Sequence, residues 1–215
     1  MAVLSRNRLI EQRLVTFMAE GLRGEDLCLF LAPGSLHDEM RRRLNALGIE
    51  VDAHLDRSTL ELTTGVADFA QMREWAQDVF AIAEQKQARG LRWLEEAGWA
   101  QAIGFPSADY YEFHALLNVQ VKHYPSIALC QYTLEEMEPQ QILSAIAVHR
   151  HILIGPTLVR DNPFYIPAEK FIPLTPEERK CDLLYLFREF GFDIEKLLAA
   201  LVGYAAIEPD VTSQP

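Results

Sequence analysis

Apolar residues fall along this chain in two rhythms. Some runs are apolar almost without a break: 27–32 (Leu27-Cys28-Leu29-Phe30-Leu31-Ala32) and 126–132. Such runs suit strands covered on both faces. Shorter runs at 60–62, 91–94, 152–154 and 157–159 predict further strands. Elsewhere apolar residues recur every three or four positions, which predicts helices. These cover 5–20 (Leu9, Ile10, Leu14, Phe17, Met18), 68–89 (Phe69, Met72, Trp75, Val79, Phe80, Ala83), 109–123 (Tyr110, Phe113, Leu117, Val121) and 139–149 (Ile142, Leu143, Ile146). Residues 97–106 and the proline-rich 160–173 read as loops.

Helix boundaries carry their own chemistry. Ser35 followed by Asp38 resembles a capping box and opens a helix ending at Gly48. Thr175-Pro176-Glu177-Glu178 combines a cap, a proline at the first helical position and a glutamate at the third, so a helix is predicted to Gly191. Asp193 caps another, to about Gly203. Strands alternating with helices imply an α/β fold, with a mostly parallel central sheet flanked by helices and a C-terminal helical appendage. The expected organisation is a main domain over 1–173, a helical extension over 174–207 and a flexible tail over 208–215. In such sheets ligands bind beyond the carboxyl ends of the strands.

Composition narrows the function. The formal net charge is -11 and only one short basic run occurs, Arg41-Arg42-Arg43 on a predicted helix. Duplex binding needs clustered cations to displace counterions, so direct nucleic-acid binding is not expected. Anionic lipid would repel the chain, and no apolar segment approaches the ~20 residues a bilayer span needs. Cys28, Cys130 and Cys181 are far apart, with no CxxC pair. That pattern fits a reducing, cytoplasmic compartment rather than a disulfide framework. No secretory signal is read at the N-terminus.

Searches for reaction motifs fail one after another. The strand–turn–helix segment Ala32-Pro33-Gly34-Ser35-Leu36-His37 has one glycine and no lysine, so it is not a phosphate-binding P-loop. There is no G-x-G-x-x-G, no G-x-S-x-G elbow and no H-E-x-x-H. His149 and His151 are two apart, which points their side chains in different directions on a helix, so no metal and no cofactor are expected. Glu95-Glu96 follows the 91–94 strand; an acid there can be a metal ligand, a base or a ligand anchor, and paired loop acids are commonly just solvated. Trp93 and Trp99 are core or pocket wall, and Cys130 is a small core hydrophobe or a site residue.

Several motifs in order carry a family resemblance. Gly21-Leu22-Arg23-Gly24-Glu25 leads into the 27–31 strand, and Asn45–Val51 is followed by Leu60-Glu61-Leu62. Then come Arg92-Trp93-Leu94-Glu95-Glu96-Ala97-Gly98-Trp99, Tyr111-Glu112 with Asn118, Cys130-Gln131-Tyr132, His149, and Asn162-Pro163-Phe164-Tyr165. This stretch, residues 9–167, resembles the MEDS (methanogen/methylotroph sensory) domains. The chain departs from the pattern at Glu95, in place of a glycine, and at Arg150, in place of a proline. The family's early strand is read as missing, because a helix is predicted almost at the start.

The resemblance implies a non-catalytic sensory domain for signal transduction and transcription regulation, proposed for hydrocarbon derivatives. It also implies a fold similar to RecA-like ATPases of the circadian-clock type, without their phosphate loop. The expected ligand-binding residues are Glu96, Trp99, Glu112, Cys130, Tyr132 and His149. The expected partners are a small organic ligand, a regulatory protein and a second copy of the chain as a homodimer. The alternatives are a RecA-like nucleotide-binding protein and an interaction module with a vestigial pocket.

Overall fold

A computed structural model describes residues 1–6 and 10–207, the last of these by its backbone alone. The expected tail at 208–215, and Leu9 of the first predicted helix, lie outside the described residues. In chain order the elements are β1 (Ala2–Ser5), α1 (Gln12–Arg23), β2 (Leu27–Leu31), α2 (His37–Ala46), α3 (Val51–Asp56), β3 (Leu60–Thr63), α4 (Phe69–Gln85) and β4 (Leu91–Glu96). Then follow α5 (Gly98–Ala102), α6 (Ser107–Gln120), β5 (Ser126–Thr133), α7 (Pro139–Val148), β6 (Ile152–Ile154), β7 (Thr157–Val159), α8 (Ala168–Phe171), α9 (Pro176–Glu189) and α10 (Ile194–Ile207).

Seven strands form one sheet in the order β3-β2-β4-β5-β1-β6-β7. All neighbours are parallel except β6 and β7, an antiparallel hairpin turned at Gly155. The α/β class with a mostly parallel sheet is as the sequence predicted. Side chains alternate between two cores with the period of two that a pleated strand imposes. Val3, Cys28, Phe30, Leu94 and Leu129 pack against α1, α2 and α3 on one face. Ala2, Leu4, Leu29, Leu31, Trp93, Cys130 and Tyr132 face a larger core built from α4 to α10.

The start of the chain differs from expectation. Residues 2–5 form a fully buried strand between β5 and β6, not the beginning of a helix. Four residues are too few to show a period, and Ala2-Val3-Leu4 gains more from being covered on both faces than from one helical stripe. The expected loss of an early strand is thereby corrected: the sheet has a central strand in that place. The Ser35 cap is also corrected, since a 3-10 turn over Gly34–Leu36 precedes α2 and no side chain caps it. By contrast, Thr175 Oγ1 accepts from the Glu178 N–H while Glu178 Oε2 accepts from the Thr175 N–H, a complete capping box. Short helices interrupt both predicted loops, α5 within 97–106 and α8 within 160–173. The helix that follows Asp193 runs past Gly203 to Ile207. Leu183, Phe187, Leu197, Leu198 and Leu201 of α9 and α10 belong to the larger core.

Candidate functional site

The register of three neighbouring strands sets the site. Glu95 of β4 lies beside Cys130 of β5, and Cys130 lies beside Ala2 of β1. All three point into the larger core, two residues along from Trp93, Tyr132 and Leu4. Ala2 is small, which leaves room over the strand for the groups that α6 and α7 deliver. Tyr110 and His114 are one helical turn apart on α6 and so project from the same side. His149 sits just past the end of α7, in extended conformation, and turns its ring inward.

Glu95 is fully buried and organises the cluster. Its Oε1 accepts from Trp99 Nε1 at 2.8 Å, from the Tyr110 hydroxyl at 2.6 Å and from His114 Nε2 at 3.1 Å. Burial alone would raise its pKa; the His114 imidazole and the hydrogen bonds from His114, Tyr110 and Trp99 more than offset this and hold the carboxyl below its ordinary range. Gly65 lets Trp99 reach its place. Its φ is +77°, and a Cβ there would lie 2.8 Å from the Trp99 ring.

The remaining groups close around the histidines. Cys130 Sγ lies 3.9 Å from Glu95 Oε2 and 3.8 Å from His114 Nδ1. The Tyr110 and Tyr132 oxygens are 3.5 Å apart. The His149 ring stands 5.4 Å from His114 and 5.6 Å from Tyr132, and its Nδ1 is 2.8 Å from the Ala145 carbonyl. That carbonyl assigns the proton to Nδ1, leaving Nε2 with its lone pair. Burial, with smaller contributions from the amino terminus and His114, keeps His149 well below the usual histidine pKa and hence neutral. Burial and then the Glu95 charge push the Cys130 thiol and the Tyr110 phenol up, so both keep their protons.

A cavity of about 300 Å³ opens beside this cluster, beyond the carboxyl ends of β4 and β5. Its walls include Glu96, Phe105, Tyr110, Tyr111, Thr133 and Gln141. Tyr110 is thus shared, with one side on the cavity and its hydroxyl on Glu95. The Thr133 hydroxyl is buried and has no hydrogen-bond partner among the described residues. Burying a hydroxyl unpaired costs about 1–3 kcal/mol. A second cleft, about 420 Å³, runs between α6, α7 and α9. It lies off the strand ends, and its guanidinium, Arg179, is already committed to Glu112 and to the Phe171 and Ile172 carbonyls.

The residues expected from sequence divide accordingly. Trp99, Cys130, Tyr132 and His149 meet in the one buried cluster. Glu96 lines the cavity next to it and accepts from the Gly98 N–H at 3.0 Å. Glu112 is elsewhere, accepting from Arg179 Nη2 at 3.0 Å and so tying α9 to α6. His151 points away from His149 and accepts from the Asp161 N–H. In the sequence Glu95 stands out only as half of an acid pair, and Tyr110 and His114 only as positions of a predicted helix. Alternation from Trp93 would have turned Glu95 inward, and a histidine four residues after Tyr110 on an apolar helix face marked the other two.

Comparison with known proteins relates the chain to a family of sensory domains and to a regulator. The family model described as "MEDS: MEthanogen/methylotroph, DcmR Sensory domain" matches residues 3–150, a span that includes every member of the cluster. A transcriptional repressor, DcmR of Methylorubrum extorquens (strain DSM 6343 / CIP 106787 / DM4), is 25% identical over 138 residues, 63% of this chain and 51% of that protein. The chain thus spans about half the length of the curated relative it matches. No helix among the described residues is long and apolar enough to cross a membrane.

Proposed function

Because the chain belongs to the MEDS family of sensory domains, we propose that it binds a small organic molecule in the cavity beyond β4 and β5 and passes that event to a regulatory partner or a second copy. The observation that carries this reading is a cavity walled by aromatic rings beyond the strand ends, one of which, Tyr110, is held by its hydrogen bond to Glu95. Sites for small molecules are mostly apolar with a few fixed polar groups. Here Glu96 and Gln141 supply the polar groups, and Phe105, Tyr110 and Tyr111 supply the apolar walls. The cluster behind Tyr110 holds that ring in place. No reaction is assigned to the site: its thiol and phenols are held protonated, and the Glu95 Oε1 lone pairs are occupied. The sensory family and the repressor relative support a role in regulation.

Size sets the affinity to look for. The best very small ligands gain at most about 1.5 kcal/mol per heavy atom, so a five-atom ligand reaches about -7.5 kcal/mol, a dissociation constant no tighter than a few micromolar. Calorimetry with short alcohols, aldehydes and haloalkanes at millimolar concentration is the test. Saturable binding that is lost in Phe105→Ala and in Tyr111→Ala supports the proposal. Absence of binding for the whole panel, with a folded protein, refutes it.

A further inference from the structure

The side chains of His114, Cys130 and His149 each offer a ligand atom, and these three atoms lie within 4.8 Å of one another in the larger core. We propose that they form a binding site for one thiophilic divalent metal ion of the zinc class. The inference does not depend on the sensory reading, since it needs no organic ligand. It also revises the expectation of no metal, which rested on His149 with His151. The structure pairs His149 with His114 instead, across two helices.

Three features favour an ion here over ordinary core packing. First, each histidine has one ring nitrogen held by a protein acceptor and the other left for a metal. His114 Nε2 is taken up by Glu95, which leaves Nδ1 directed at Cys130 Sγ; His149 Nδ1 is taken up by the Ala145 carbonyl, which leaves Nε2. Metal-binding histidines nearly always give their other N–H to a carboxylate or a backbone carbonyl, and here one does each. Second, the charges balance. A divalent ion with the Cys130 thiolate, the Glu95 carboxylate and two neutral imidazoles sums to zero, so the cluster can stay buried. Third, the size is suitable. Bonds of about 2.0–2.3 Å in a tetrahedron place ligand atoms about 3.5 Å apart, so atoms within 4.8 Å of one another must close by up to about 1.3 Å. Three protein ligands leave a fourth position to an exogenous molecule. On binding, the ion replaces the thiol proton of Cys130: the S–H bond breaks, a metal–sulfur bond forms, and the proton leaves to solvent.

The experiment is a titration of the reduced, chelator-treated full chain with Co²⁺, followed by absorption. The expected result is saturation at one ion per chain, with the intense visible bands of tetrahedral cobalt and a near-ultraviolet thiolate-to-cobalt band, both abolished by Zn²⁺. Cys130→Ser removes the thiolate band, and His114→Gln or His149→Gln weakens binding at least tenfold. Glu95→Gln keeps the band but weakens binding about 10–100-fold, as loss of a supporting hydrogen bond does. Cys28→Ser and Cys181→Ser leave the spectrum unchanged. A wild-type chain without the thiolate band, or a band that survives Cys130→Ser, overturns the proposal. Should Cys130→Ser not fold, the wild type decides alone: Zn²⁺ must raise its urea midpoint, and an unmoved midpoint refutes the site. Organic-ligand binding without the cobalt band removes the metal and leaves the sensory reading. The cobalt band without any organic ligand does the reverse.

Discussion

Replacing Glu95 by leucine tests how far the cluster depends on one carboxylate. The side chain is fully buried and accepts three hydrogen bonds, from Trp99, Tyr110 and His114. Leucine removes the acceptor and leaves three buried donors unpaired, each at about 1–3 kcal/mol. The sum is about 3–9 kcal/mol, against a total stability of about 5–15 kcal/mol for a typical domain. Glu95→Leu should therefore be barely folded or unfolded. Glu95→Gln keeps the shape and an acceptor oxygen but loses the charge assistance, about 1 kcal/mol for each of three bonds, so a loss of about 3 kcal/mol is expected. Tyr110→Phe removes a single donor and should cost about 1–2 kcal/mol. Urea unfolding followed by circular dichroism measures all three. In the double variant Glu95→Gln/Tyr110→Phe the losses should fall short of additive by 0.5 kcal/mol or more, because the two residues share a bond. A Glu95→Leu protein within 1 kcal/mol of wild type would refute the reasoning.

Three further outcomes follow from contacts outside the cluster. Asp26 accepts from Arg89 at 2.9 Å and from Arg92 at 2.7 Å, and although burial opposes it, these bonds hold its carboxyl below the ordinary value of 3.8. A depressed folded pKa stabilises above the unfolded value and is lost as pH falls through the folded one, so the wild type should lose stability below about pH 4 more steeply than Asp26→Asn, as urea midpoints across acid pH would show. Arg179→Met removes the partner of Glu112 and of two buried carbonyls, and should cost about 2–4 kcal/mol; hydrogen exchange in residues 176–189 should accelerate, and unchanged protection would contradict the tie between α6 and α9. Cys181 is exposed, whereas Cys28 and Cys130 are buried, with the Cys28 thiol pushed up to about 12; a thiol reagent should modify one cysteine quickly in the native protein and the other two only on unfolding.

Much of the fold was legible because the strands are long enough to declare themselves. The 27–32 and 126–132 runs are apolar on both faces, and the helix after Thr175 announced itself by a cap whose two hydrogen bonds are both present. The first strand was not legible, since Ala2-Val3-Leu4 fits a helix start as well as a sheet centre. Trp99, Cys130, Tyr132 and His149, expected from motif residues at strand ends, come together in the buried cluster. Glu112 stands apart from the cluster, paired with Arg179; a charged residue in a motif looks the same whether it faces a pocket or an arginine on a later helix. His114 was invisible for the opposite reason: on an apolar helix face it reads as core, and only the pairing of β4 with β5 brings Glu95 and Cys130 beneath it. Sequence spacing reports neighbours along one element; this cluster is made by three strands and two helices meeting.

The most direct test of the recognition site is a crystal structure of the chain with a compound that calorimetry shows to bind. The ligand should lie beyond the carboxyl ends of β4 and β5, with a polar atom at Glu96 or Gln141 and its apolar part against Tyr110 and Tyr111. Density in the cleft between α6, α7 and α9 instead would contradict it.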